Sequence, residues 1–279
     1  HTLTVAQYED IVAATKKIGV ALKVKGLLNI QFAIKDDEVF VLEVNPRASR
    51  TVPFISKATG VHWAKLATRV ILGESIESMA VKDFEFQGFY AVKEVVFPFR
   101  RFPLEDTVLG PQMKSTGEVM GIDTHLGAAF VKAQQAAGYH LPKTGCVFLS
   151  LRDEDKQAIK PIVEELDRLG FNFVATRGTA SLLEGWGYAV KSINKVIEGR
   201  PHIVDALKNK DVDLVINTPS GKYPMEDEKI IRQVASDLNI PLFTTVEGAS
   251  SVVEAIPFLR EGICVKALQE YTKDQQLVR

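Results

Sequence analysis

Residues 38–45 read Glu-Val-Phe-Val-Leu-Glu-Val-Asn and run into Pro46 and Arg47. Side chains alternate between faces along a strand, so regular pleating places Val39, Val41, Glu43 and Asn45 on one side. The first two are apolar; Glu43 and Asn45 are hard oxygen donors. A strand over 28–34 precedes them through a hairpin turn at Lys35-Asp36-Asp37 and can bring Gln31 alongside. A Glu, an Asn and a Gln, with Arg47 and Arg50 just beyond, suit Mg²⁺ bridging phosphates, because Mg²⁺ takes oxygen ligands and usually keeps phosphate in its shell. The same residues also read as a solvated strand end, since E-x-N is short and common.

A second group lies in the other half of the chain. Ligands of open parallel sheets bind beyond the carboxyl ends of the strands. Here a strand over 172–176 runs into Thr176-Arg177-Gly178-Thr179-Ala180 and then a helix. Such a turn offers unpaired N–H groups and hydroxyls to an anion. A strand over 189–193 ends at Asn194-Lys195, and one over 213–218 at Asn217-Thr218-Pro219-Ser220-Gly221-Lys222. Lys156, in the first turn of a helix over 154–169, adds charge beside a strand over 146–151. Together these suit a phosphorylated small molecule. Alternatively, Thr176 and Thr179 cap a helix and the lysines are solvated surface.

The elements that must position these groups follow from hydrophobic period. Apolar residues at Val5, Tyr8, Ile11, Val12, Ile18 and Leu22 mark an amphipathic helix over 4–22, with Thr4 and Gln7 as a capping box. Residues 51–60 read as a loop and 61–72 as a helix ended by Gly73. A strand spans 89–99, Pro98, Pro103 and Pro111 break regularity, and a short helix covers 124–137. Gly138 to Gly145 is the linker candidate. Beyond it, strands at 146–151, 172–176, 189–193, 213–218 and 241–245 alternate with helices at 154–169, 179–186, 200–209, 226–238 and 246–259. That alternation indicates a parallel sheet covered on both faces.

The 279 residues suffice for two domains, at 46% apolar and 25% charged the composition of a soluble globular protein. A net charge of −1 gives no sign of a nucleic-acid or membrane surface. No apolar run suggests a membrane span and no secretory signal opens the chain. Cys146 and Cys264 sit in apolar runs and read as core thiols of a reducing compartment. The chain opens His1-Thr2-Leu3-Thr4 directly before a patterned helix, which reads as a piece of a larger polypeptide.

The run E-V-N-P-R-A-S-R-T-V-P-F over 43–54 closely resembles the metal-binding strand of ATP-grasp ligases, and within them the carbamoyl phosphate synthetase large subunits. K-E-V-V-F-P-F (93–99) and S-T-G-E-V-M-G (115–121) resemble the same family. The resemblance implies that Glu43, Asn45 and Gln31 hold Mg²⁺ or Mn²⁺ at the triphosphate of ATP. It also places Arg47 and Arg50 against the phosphates or the acyl phosphate intermediate. Glu94 matches a residue that in some members helps bind the activator ornithine, whereas the aromatic some members carry near Leu242 is aliphatic here. Glu118 reads as a turn carboxylate.

A-T-R-G-T-A (175–180), S-I-N-K-V-I-E-G-R-P-H-I-V-D (192–205) and V-I-N-T-P-S-G (215–221) resemble the methylglyoxal-synthase-like domain, the regulatory domain of that synthetase. This implies an effector site for UMP or IMP at Lys156, Thr176, Thr179, Lys195 and Asn217. Methylglyoxal synthase carries a catalytic Asp in a Gly-Gly-Asp segment where this chain has Asn217-Thr218-Pro219-Ser220-Gly221. A phosphate-binding fold without its general base should bind rather than turn over.

The expected fold is α/β: the C-terminal segment of an ATP-grasp domain with an antiparallel sheet (1–138), then a Rossmann-like parallel-sheet methylglyoxal-synthase-like domain (139–279). The expected parent is a cytoplasmic ATP-dependent carbon–nitrogen ligase of pyrimidine and arginine biosynthesis. Its implied partners are the upstream part of the same subunit, a glutaminase small subunit and other copies in an oligomer. The isolated chain should be inactive. A stand-alone nucleotide-binding regulatory module, with the first half as scaffold, is the competing reading.

Overall fold

The computed structural model describes residues 3–79, 81, 88–102, 107–109, 112–219 and 226–272. The sequence expectations at Pro103, Pro111, Ser220, Gly221 and Lys222 lie outside the described residues. The chain forms two compact units, His1–Gln87 with Lys266–Arg279, and Gly88–Val265. The boundary expected between 138 and 139 runs inside the second.

In the first unit, helix α1 (Val5–Ala21) begins at the expected capping box. Gln7 N–H donates to Thr4 Oγ1 at 3.2 Å and Thr4 N–H to Gln7 Oε1 at 3.0 Å. Strands β1 (Asn29–Lys35) and β2 (Glu38–Asn45) pair antiparallel. Asp36 and Asp37, both at positive φ, make the two-residue turn that right-twisted hairpins require. Gln7 Nε2 donates to Asp37 Oδ1 at 3.2 Å, fastening α1 to this turn.

Residues expected to be loop form α2 (Thr51–Thr59) instead. Pro53 is tolerated there because the N–H it lacks would have had no partner in the first turn. Helix α3 (Trp63–Ile71) then adds Leu66 to a small core with Val61 and Met79. The stripe expected to bury α1 is only partly covered, with Val5, Tyr8 and Leu22 exposed.

The second unit opens with β3 (Tyr90–Val96) and β4 (Gly117–Asp123), an antiparallel pair. Glu118 therefore lies in a strand, not a turn, with its carboxylate 3.7 Å from Lys93 Nζ. Helix α4 (Leu126–Ala136) lies directly on β4. The approach is so close that a Cβ on Gly121 would fall 1.9 Å from the Ala129 carbonyl oxygen.

The rest alternates strand and helix: β5 (Cys146–Ser150), α5 (Lys160–Arg168), β6 (Asn172–Thr176), α6 (Arg177–Gly185), β7 (Val190–Ile193), α7 (Ile203–Lys208), β8 (Leu214–Asn217), α8 (Glu226–Asp237), β9 (Leu242–Phe243) and α9 (Val246–Glu261). The sheet is parallel in the order β7-β6-β5-β8-β9. Period two sorts its residues onto two cores. Val147, Leu149, Phe173, Ala175, Leu214 and Ile216 pack with α5, α6 and α9, while Phe148, Val174 and Val215 pack with α7 and α8.

Chain order reverses at β5, between β6 on one side and β8 on the other, so the crevice at their carboxyl ends is where such a sheet binds ligands. Finally, α10 (Leu268–Thr272) returns to the first unit, where Thr272 covers Gly60.

No helix among the described residues is long and apolar enough to cross a membrane. Cys146 is half-buried and its thiol is pushed up to about 11, chiefly by burial, whereas Cys264 is exposed rather than in the core.

The close approach of α4 to β4 makes Gly121→Ala destabilising by about 1–3 kcal/mol through overpacking. Gly117→Ala in the same strand, where an added Cβ meets open space, should be close to neutral. Urea denaturation of both variants checks this; equal midpoints would contradict the packing described.

Candidate functional sites

The hairpin places the first set of residues by register. Gln31 is directly opposite Glu43, and Asn29 directly opposite Asn45. Cross-strand partners share a face, so these four polar side chains gather at the open end of the hairpin. Asn29 was missed by the sequence reading, although its period-two spacing to Gln31 was the available signal.

The register jumps between Gln31/Glu43 and Phe32/Val41, leaving Leu42 as an extra residue. This bulge interrupts the pleat. Val39 and Val41 consequently pair with Ile34 and Phe32 on the face opposite Glu43 and Asn45, which corrects the single face expected from regular alternation.

Asn45 Nδ2 donates to Glu43 Oε1 at 2.9 Å, which turns the Asn45 amide oxygen away from the carboxylate. The donor set is all oxygen: one carboxylate and the amides of Gln31 and Asn45. One carboxylate is too little charge for a dedicated all-protein cage but fits a divalent ion that takes its remaining ligands from phosphates. Arg47 lies just past the strand, its Nη1 donating to the Ala48 carbonyl at 3.0 Å, and Arg50 is the exposed residue preceding α2.

The second set converges at the carboxyl ends of β5, β6 and β8. Ser150, Thr176, Thr179, Asn217 and Thr218 are all buried there. Thr176 occupies the N-cap of α6 yet its side chain makes no capping bond. Its hydroxyl instead lies 3.5 Å from both Ser150 Oγ and Thr179 Oγ1. The first N–H groups of α6 thus retain the need for an acceptor that a helix N-terminus creates.

Two hydroxyls pin the loop after β5: Leu151 N–H donates to Thr179 Oγ1 at 3.2 Å and Arg152 N–H to Thr218 Oγ1 at 3.0 Å. Lys156 follows a 3-10 turn at Asp153–Asp155 rather than opening the α-helix, which starts at Lys160. Its ammonium pairs with the exposed Asp153 at 2.6 Å and lies 3.7 Å from where a Gly178 Cβ would be.

Asn217 has no exposed surface. Its amide donates to the Ser150 carbonyl at 3.2 Å and accepts from Arg232 Nη1 at 3.0 Å. Arg232, fully buried on α8 with Glu228 3.8 Å away, was missed by the sequence reading because a helix-borne arginine carries no sign of its burial. Lys195 lies at the end of β7, next to Asn194, whose Oδ1 accepts from Arg177 Nη2 at 3.2 Å.

A third feature is a cavity of about 360 Å³ within the second unit, lined by Glu94, Phe97, Phe130, Gln134, Tyr139 and Leu242 among others. The structure thereby brings Glu94 and Leu242 to one space. Gln134 Nε2 donates to Glu94 Oε2 at 2.8 Å. Burial pushes the Glu94 carboxyl above the usual range, and the Val95 N–H and Gln134 amide only partly offset it.

A carboxyl that titrates higher folded than unfolded lowers stability as pH rises from its unfolded value through its folded one. Glu94→Gln should therefore match the original chain near pH 4, about the unfolded glutamate value, and become the more stable of the two above that window. Melting temperature against pH checks this, and an offset constant across pH would contradict it.

Residues 1–79 match the family model described as carbamoyl-phosphate synthase L chain, ATP binding domain, and residues 158–244 match the MGS-like domain. The chain is 44% identical over 292 residues to a carbamoyl phosphate synthase large chain, C-terminal section, from Aquifex aeolicus, covering 97% of this chain and 54% of that protein. It is 47% identical over 277 residues to the large chain of Mesorhizobium japonicum, covering 97% of this chain and 24% of that one. With the Neisseria meningitidis large chain it shares 48% over 271 residues, 97% of this chain and 25% of that one. It thus spans about half of the first relative and about a quarter of the other two. An antiparallel hairpin of the ATP-binding match, followed by a five-stranded parallel sheet holding the MGS-like match, is the expected fold class in the expected order. On this fold and these identities, the chain belongs to the carbamoyl phosphate synthase large-chain family and corresponds to its C-terminal section.

Proposed function

We propose that residues 1–138 serve carbamate phosphorylation in a glutamine-dependent carbamoyl phosphate synthase, and that residues 139–279 are its nucleotide effector domain. The two family matches fall on either side of that division. The observation that carries the catalytic half is Gln31 directly opposite Glu43, with Asn45 hydrogen-bonded to the same carboxylate. Gln31, Glu43 and Asn45 would hold Mg²⁺ or Mn²⁺, which supplies charge neutralisation at the phosphoryl oxygens of ATP.

Arg47 and Arg50, one turn of chain further on, offset charge on the phosphates or on the acyl phosphate. Their guanidinium groups match phosphate geometry through paired N–H donors. In this reading the rest of the large subunit supplies the other lobe of the nucleotide site, a small glutaminase subunit supplies ammonia, and the enzyme works in the cytoplasm as an oligomer. The exposed apolar side chains of the first unit, Val5, Tyr8, Leu42, Ile71 and Leu72 among them, support a partner surface there.

The effector half rests on the uncapped N-terminus of α6, flanked by Lys156 and Lys195, with Thr176 and Thr179 buried behind it and Asn217 holding the neighbouring strand ends. β8 ends in Asn217 and runs into Thr218-Pro219, with no carboxylate at those positions, which supports binding without turnover.

Titration calorimetry of the chain with UMP and IMP should give micromolar binding that Lys195→Ala abolishes. Absence of binding to both would remove the effector half. The chain alone should release no ADP from ATP. Release that disappears in Glu43→Gln would show that this chain has a working site by itself and overturn the assignment of the second lobe to the rest of the subunit.

A further inference from the structure

Arg232 stands behind the strand ends of the second unit, and its burial calls for a reason. Among the described residues it is the one Lys, Arg, Asp or Glu with no exposed surface. Ile231 and Ala235, also on α8, are buried with Phe148, Val174 and Val215 in one apolar core. A guanidinium is costly to bury, and replacing a buried ion pair by apolar side chains of similar volume is often neutral or stabilising. Core stability alone therefore does not favour an arginine at this position. What it bonds does.

Arginine carries donors only, and a backbone carbonyl only accepts. Asn217 lies between one of each. Arg232 Nη1 donates to Asn217 Oδ1 at 3.0 Å, and Asn217 Nδ2 donates to the Ser150 carbonyl at 3.2 Å. Both ends of the amide are thus assigned, and it cannot turn over without losing both bonds. Ser150 is directly opposite Asn217 in the β5–β8 pairing, and its carbonyl also accepts the Thr218 N–H at 3.1 Å. The Ser150 hydroxyl lies 3.5 Å from Thr176 Oγ1, which lies 3.5 Å from Thr179 Oγ1. A line of polar contacts therefore runs from α8, through the ends of β8 and β5, to the first turn of α6. Glu228, one turn earlier on α8 and 3.8 Å from the same Nη1, pairs with the guanidinium. Without Arg232, Asn217 Oδ1 would lose the donor that fixes it, and a buried acceptor left unpaired is costly.

We propose that Arg232 is a positioning residue of the nucleotide effector site. Through Asn217 it sets the orientation of Ser150 and of the two threonine hydroxyls, so that nucleotide affinity depends on a side chain no ligand reaches. The proposal rests on the effector reading above and goes beyond it in naming a residue outside the site that determines its geometry.

The test compares UMP affinity with stability in the whole chain, by titration calorimetry and urea denaturation. The double variant Arg232→Met/Glu228→Gln removes the buried pair together, so no charge is left stranded. It should keep its urea midpoint, yet bind UMP about tenfold more weakly, the scale of one well-placed hydrogen bond. Arg232→Lys, which retains a donor and the pairing with Glu228, should recover most of that loss. A double variant that unfolds, or that loses stability while binding UMP as the original chain does, would show a purely structural role and overturn the proposal. Unchanged affinity at unchanged stability would overturn it too, while Lys195-dependent UMP binding left the site itself standing. No recovery in Arg232→Lys would overturn the route through the Asn217 hydrogen bond. Failure of the original chain to bind UMP would overturn the effector site and this proposal with it.

Discussion

The second unit depends on how a parallel sheet buried on both faces ends. Its interior strands are continuous apolar runs, and their carboxyl ends bring backbone and side-chain polar groups into a region with little water. Those groups must find partners or cost about 1–3 kcal/mol each. Here Asn217 meets that requirement by bonding the Ser150 carbonyl across two neighbouring strands and taking a bond from the buried Arg232. Thr179 and Thr218 secure the amides of the loop that follows. With β5, β6 and β8 fixed in this way, the N-terminus of α6 stands as the place where donors remain in excess of acceptors.

The first unit is organised by a different constraint. Its hairpin is held by turn residues at positive φ and by register, and the bulge at Leu42 decides which side chains share a face. The bulge separates an apolar side from a polar quartet of Asn29, Gln31, Glu43 and Asn45. The two candidate sites therefore differ in physical character. One is exposed and depends on an incoming ion and its phosphates to complete it. The other is built in advance from buried hydroxyls and an amide network.

Much of this was legible in the sequence because it follows period and termination signals. The alternating strands and helices after Gly145, the capping box at Thr4 and the turn at Asp36-Asp37 all appear where residue types placed them. The helix over Thr51–Thr59 was missed because Pro53 reads as a breaker, although proline is harmless in a first turn. The Leu42 bulge has no marker in a stretch of ordinary alternation, and the burial of Arg232 depends on its packing against Asn217 on a different element. Local chemistry shows in a sequence, whereas register shifts and partners on other elements belong to the tertiary structure.

The central claim is that the N-terminus of α6 is the anion site of this chain. Amide chemical shifts recorded during addition of UMP to the nitrogen-15-labelled protein test it most directly. The account requires the largest changes at Gly178 and Thr179, with Lys195 moving alongside them. Changes confined to the β1–β2 hairpin or to the cavity at Glu94, with Gly178 and Thr179 unmoved, would contradict it.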